Sequence, residues 1–127
     1  MIQPSKTCQL EYGAIEFYDS YAIGKIDPKF KVDTKVAKSI LHEVKEHFGK
    51  RKMVYISDRE FGHDVDISVY KLIDYKKMIG IAIVTSNREE AIIKASEEQA
   101  AYKGSFGVFN TMDSAISWAQ SFVEAND

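Results

Sequence analysis

Apolar and polar positions alternate early in the chain and recur at helical spacing later. Cys8-Gln9-Leu10-Glu11-Tyr12 and Ala14-Ile15-Glu16-Phe17-Tyr18 both run with period two, and Gly13 between them marks a turn. Asp19-Ser20 predicts a second tight turn, with Tyr21–Ile26 as the return strand. Asp27-Pro28 stops the sheet, because proline brings no donor to the ladder. The period then changes. Val36, Ala37, Ile40, Leu41, Val44 and Phe48 lie on one helical face, Asp33 suits the N-cap, and Gly49 closes the helix. Lys52-Met53-Val54-Tyr55-Ile56 reads as a buried strand, and the polar stretch from Ser57 to Val65 as a loop. Asp66 is placed to cap a short helix carrying Val69, Leu72 and Ile73. Ile79–Val84 is the clearest buried strand, followed by a helix capped by Ser86 or Asn87 and running to about Tyr102. Phe106–Phe109 is a last strand. Asn110 or Thr111 caps a final helix with Ala115, Ile116, Ala119, Phe122 and Val123 on its apolar face.

The expected class is therefore α/β: a mixed sheet with an N-terminal antiparallel hairpin followed by α-β-α-β-α-β-α. The elements fill residues 1–127 as one domain, with 1–6 expected as a disordered tail. Apolar residues make up 45% of the 127, enough for a packed core. Lysine and arginine total 17 against 19 acidic residues, for a net charge of −2, so the basic footprint of a nucleic-acid binder is missing. No apolar stretch approaches the ~20 residues of a membrane helix. The N-terminal segment lacks the apolar core of a secretory signal, and a cytoplasmic location is expected. The lone Cys8 allows neither an internal disulfide nor a thiolate zinc site within the chain.

Candidate chemistry is thin. His42-Glu43-Val44-Lys45-Glu46-His47 resembles a zinc-protease helix only at first sight, because that motif needs histidines at i and i+4 and Glu46 holds the second place. Neither phosphate-binding glycine loop is present. Asp58 follows a strand as a receiver phosphoacceptor would, but the acidic pair of such a receiver is not convincingly present. Ser57, His63 and Asp64 invite a triad reading without a nucleophile elbow. Cys8 reads as a half-buried thiol. Phe17 and Tyr18 fall on opposite faces of the hairpin, one packing on helices and the other open to a partner or ligand. The strongest geometric argument concerns strand ends, since open α/β sheets bind ligands beyond the carboxyl ends of their parallel strands. Ser57-Asp58-Arg59 and Ser86-Asn87-Arg88 end two central strands, with Asp66 and Ser68 beside them. The candidate binding edge is thus Asp58, Arg59, Asp66, Ser68, Ser86, Asn87 and Arg88. No catalytic residue, cofactor or metal site is assigned.

Met53-Val54-Tyr55-Ile56-Ser57-Asp58-Arg59, Gly80-Ile81-Ala82-Ile83-Val84 and Val108-Phe109-Asn110-Thr111-Met112-Asp113-Ser114-Ala115-Ile116-Ser117-Trp118 carry a likeness to a known family. With them the chain resembles the STAS fold, and most closely the small SpoIIAA-like (STAS/SEC14-type) bacterial proteins. Such motifs bear on architecture more than on chemistry. The resemblance implies docking of a protein partner, controlled by phosphorylation of a serine at the start of the helix after a central strand. Ser68 lies near that place, although Ile67 and Val69 flank it where the family has a paired Ser or Thr and a glycine. It also implies, for related proteins, lipid or small-molecule binding.

The resulting expectation is a non-enzymatic STAS-like regulatory or binding domain that docks a protein partner. The alternative is a small-molecule or lipid carrier with an apolar groove beneath the aromatic hairpin, taking an apolar or anionic ligand. A hydrolase-like enzyme acting through Ser57, His63 and Asp64 is the last reading. A homodimer through the hairpin or a sheet edge is expected.

Overall fold

Three short strands, β1 (Lys6–Leu10), β2 (Gly13–Phe17) and β3 (Tyr21–Ile26), form an antiparallel meander. A computed structural model of the chain describes residues 3–59 and 65–126, and the expected roles of His63 and Asp64 lie outside them. These are the two alternating segments and the return strand Tyr21–Ile26 read from the sequence. Pairing begins at Lys6 opposite Phe17, and the Ser5 N–H donates to Phe17 O, so β1 starts at the last residue of the segment expected as a tail. Gly13 opens β2 at φ +149°, and a Cβ there would lie 2.2 Å from the Lys25 carbonyl oxygen. Only glycine combines that torsion with so close a strand.

Parallel pairing follows. α1 (Thr34–Phe48) leads to β4 (Met53–Asp58), a short 3-10 helix (Ile67–Leu72) to β5 (Met78–Val84), and α2 (Arg88–Ala101) to β6 (Ser105–Phe109). α3 (Met112–Asn126) ends the fold. The Asp33 side chain accepts the Val36 N–H at 3.0 Å and starts α1, and Gly49 at φ +61° returns its N–H to Lys45 O and ends it.

The six strands lie in the sheet in chain order, β1 to β6. Right-handed crossovers that step one way across a sheet keep their helices on one face. α1, the 3-10 helix and the C-terminal end of α2 accordingly share a core with Ile15, Phe17, Ile26, Met53 and Ile81. α3 covers the other face, where Ala115, Ala119 and Val123 meet Ile23, Val54, Ile56 and Ala82. Gly80 admits the Trp118 ring on that side, since a Cβ would come within 3.0 Å of it. Among the described residues no helix is long and apolar enough to cross a membrane.

The helices of the three crossovers differ in length. α1 has 15 residues and α2 has 14, whereas the 3-10 helix has only 6. Helices of 14–15 residues span about 21–22 Å, but six 3-10 residues rise only about 12 Å. Among the described residues the regular helix is therefore shortest between β4 and β5. Gly13→Ala is expected to lower stability by about 1–3 kcal/mol through backbone strain alone. Urea unfolding with an unchanged midpoint would contradict this placement of the β1–β2 turn.

Candidate functional site

Along β4 the side chains alternate. Val54 and Ile56 enter the core beneath α3, while Met53, Tyr55 and Ser57 face the α1 side, and Arg59 beyond the strand turns the same way. The Arg59 N–H donates to Val84 O, which holds the backbone on the sheet. Its guanidinium meets Glu98 of α2 in a two-pronged pair, Nη1 to Oε2 at 2.7 Å and Nη2 to Oε1 at 2.8 Å. Arg59 Nε donates to Ser57 Oγ at 3.0 Å, and the Tyr70 hydroxyl donates to Glu98 Oε1 at 2.5 Å. The pair is deep, with side-chain exposures of 11% for Arg59 and 1% for Glu98.

Burial pushes the Glu98 carboxyl up, but the hydrogen bonds and charge of Arg59, with the Tyr70 hydroxyl, outweigh it and leave Glu98 below the ordinary carboxylate range. Burial likewise favours loss of the Arg59 proton, and Glu98 more than offsets it. Tyr70 is pushed up by burial and by the Glu98 charge, so it remains a hydroxyl donor. This network joins the end of β4, the 3-10 helix and α2. Every buried side-chain nitrogen and oxygen among the described residues has a partner.

Beside the network lies a cavity of ≈ 70 Å³, walled by Ile26, Val32, Ile40, Val65, Val69 and Ile81, with Tyr55, Ser57, Arg59 and Tyr70 as its polar side. A second cavity of ≈ 270 Å³ opens between the C-terminal half of α1 and the end of the 3-10 helix, lined by Val44, Phe48, Met53, Leu72 and Ile73. Leu41 and Met78 line both. Lys45, Arg51, Asp74 and Lys77 stand around the larger one. The two cavities adjoin at these residues and form an apolar region under α1, which we refer to as the cleft. The strands that wall it are β3, β4 and β5. Ile15 and Phe17 of β2 are fully buried in the core of the same face, and Ile26 of β3 lines the smaller cavity.

The expected binding edge is only partly assembled. β4 and β5 are parallel neighbours with Asp58 opposite Val84, so Asp58, Ser86 and Asn87 do share one sheet edge. Asp58 is half-buried, and Ser86 and Asn87 are exposed. Asn87 holds the N-cap position of α2 without a side-chain cap bond, and Arg88 is the first residue of that helix. Arg59 has left the edge for Glu98. Asp66 caps the 3-10 helix, and its carboxylate accepts both the Ser68 N–H at 3.0 Å and the Ser68 hydroxyl at 2.9 Å. These bonds, the backbone one foremost, hold Asp66 below the usual carboxylate range. A phosphate on Ser68 would set a second anion against that carboxylate, with the Arg59 guanidinium already engaged.

Other expected residues have structural duties. His47 stacks on Phe17 with ring centroids 4.7 Å apart, while His42 and Glu46 are exposed. Arg51 donates to the Phe48 and His47 carbonyls at the C-terminus of α1. Burial raises the Cys8 thiol, with Glu43 adding to the effect, the reverse of what a nucleophile needs. Tyr18 stacks on Tyr21 on the α3 face.

Glu98, Tyr70 and Tyr55 did not stand out in the sequence. The signal for Glu98 lies in its spacing. Ala95, Glu98 and Tyr102 share one helical face, and all three are buried. A carboxylate on a buried stripe calls for a buried cation. No family model, curated protein or solved structure matches the chain.

Glu98→Ala leaves the Arg59 charge buried and unpaired, at an expected cost of about 3–5 kcal/mol, and Arg59→Met with Glu98→Leu is expected to cost less than the two single changes together. Because the folded carboxyl value of Glu98 lies below the unfolded one, its contribution is present above the unfolded glutamate value, about 4.3, and fades as pH falls through the folded value. Urea midpoints measured against pH are expected to fall on the acid side and to fall less for Glu98→Gln. Equal acid sensitivity in both proteins would contradict the assignment.

Proposed function

We propose that the chain is a non-enzymatic, STAS-like binding domain of the cytoplasm that takes a small, largely apolar molecule into the cleft under α1. The observation that carries the reading is the paired cavity itself, ≈ 70 Å³ and ≈ 270 Å³ with Leu41 and Met78 as common wall. Interiors pack to crystal-like density, and small-molecule sites are typically concave, mostly apolar pockets with a few placed polar groups. The cleft has that composition, with Tyr55, Ser57, Arg59 and Tyr70 gathered on one side of its inner part. The fold order and the strand and helix residues that resemble STAS-type domains support the architectural half of the proposal.

Docking of a protein partner, or of a second copy, is the second reading. It is favoured by Ile92 and Ile93 on α2, 44% and 76% exposed, beside the edge strand β6. An open strand edge is a ready template for pairing.

Native mass spectrometry of the freshly purified protein is expected to show a low-mass adduct. Leu41→Trp, which fills the shared wall of both cavities, is expected to abolish it while leaving the far-ultraviolet circular dichroism unchanged. A bare protomer mass, with no apolar compound raising the melting temperature, would refute the cleft reading. Light scattering that gives a dimer, with Ile93→Lys returning it to one protomer, would favour the docking reading instead.

A further inference from the structure

Tyr55 stands on β4, with β3 on one side and β5 on the other. It is half-buried and lies on the face of the sheet covered by α1. Tyr55 lines the smaller cavity. Its hydroxyl lies over Gly24 of β3, where a Cβ would come within 1.8 Å of the oxygen. The chain thus has a glycine where any side chain would displace the hydroxyl from this position. The other polar groups of the cavity are engaged: Arg59 with Glu98 and Ser57, and Tyr70 with Glu98. The Tyr55 hydroxyl makes no hydrogen bond to a described residue.

We propose that Tyr55 determines specificity in this cleft by donating a hydrogen bond to an uncharged acceptor oxygen, a carbonyl or ether, carried by an otherwise apolar ligand. This rests on the reading of the cleft as a ligand site and adds the chemical class of the ligand. The hydroxyl has no partner among the described residues, and an acceptor oxygen on a ligand in the cavity supplies one. An anion is disfavoured there. Arg59 is the one charged residue among the described lining of the smaller cavity, and Glu98 already neutralises it. Burial pushes the Tyr55 hydroxyl up to about 12, so the group keeps its proton and acts as a donor. The body of the ligand passes Leu41 and Met78 into the larger cavity.

The test compares Tyr55→Phe with the unaltered protein in NMR titrations with 2-pentanone, pentane and butanoate. Tyr55→Phe is expected to weaken 2-pentanone about tenfold, the worth of one hydrogen bond. Pentane is expected to bind the variant as well as or better than the parent, butanoate to bind more weakly than the ketone in the unaltered protein, and the variant to melt at or above the parent. An equal effect on ketone and alkane, or no effect on either, overturns the role of Tyr55 and leaves the cleft standing. A Tyr55→Phe variant that melts well below the parent places the hydroxyl in the structure's own bonding and also overturns it. Failure of both uncharged probes to bind overturns the cleft reading and this inference with it.

Discussion

The buried pair between Arg59 and Glu98 sets the arrangement of the α1 face. Two opposite charges can lie together in a protein interior only with good geometry and with their remaining bonding sites filled. Both conditions are met, because the guanidinium takes both carboxylate oxygens, Ser57 accepts from Nε, and Tyr70 supplies the additional donor to Glu98. The consequence is positional. One end of the network is fixed to the sheet through the Arg59 backbone bond to β5. The other end fixes α2, and Tyr70 brings the 3-10 helix to the same point. A buried ion pair adds little to net stability compared with the cost of leaving one of its charges unpaired.

What the network does not cover becomes the cleft. Leu41 and Met78 border both cavities, which lie between α1 and the six-residue 3-10 helix. The opposite face shows the contrast. There α3 lies along β4 and β5 with fully buried alanines, and Gly80 lets Trp118 approach the strand. One face of the sheet is closed by a full-length helix and serves as scaffold. The other is pinned by an ion pair, is open beside it, and holds Tyr55 and Gly24 in complementary positions.

Much of the fold was legible because it is written in periodicity. The alternation through Cys8–Tyr18 and the apolar run Ile79–Val84 correspond to strands, and the stripe Val36, Ile40, Val44 and Phe48 faces the core as its spacing implies. Asp33 and Gly49 end the first helix as their chemistry suggests. The site was less legible, and the reason is physical. Proximity of Ser57, Asp58, Arg59 and Ser86 at one sheet edge follows from parallel pairing, but the direction of the Arg59 side chain depends on a partner 39 residues away. A glutamate among alanines on a helix reads as solvated unless its stripe, Ala95 and Tyr102, is counted. Ser68 marks a helix start correctly, yet its hydroxyl is held by the Asp66 that caps the same turn. The cleft is a property of packing between distant elements, which has no residue pattern of its own.

The most direct measurement of the central claim is a crystal structure of the protein under xenon pressure. Xenon enters dry apolar cavities without needing a specific partner. The account predicts a xenon site among Ile40, Tyr55 and Ile81, with Arg59 and Glu98 still paired beside it. A face on which Leu41, Met78 and Tyr55 have closed together and no xenon is bound would contradict it.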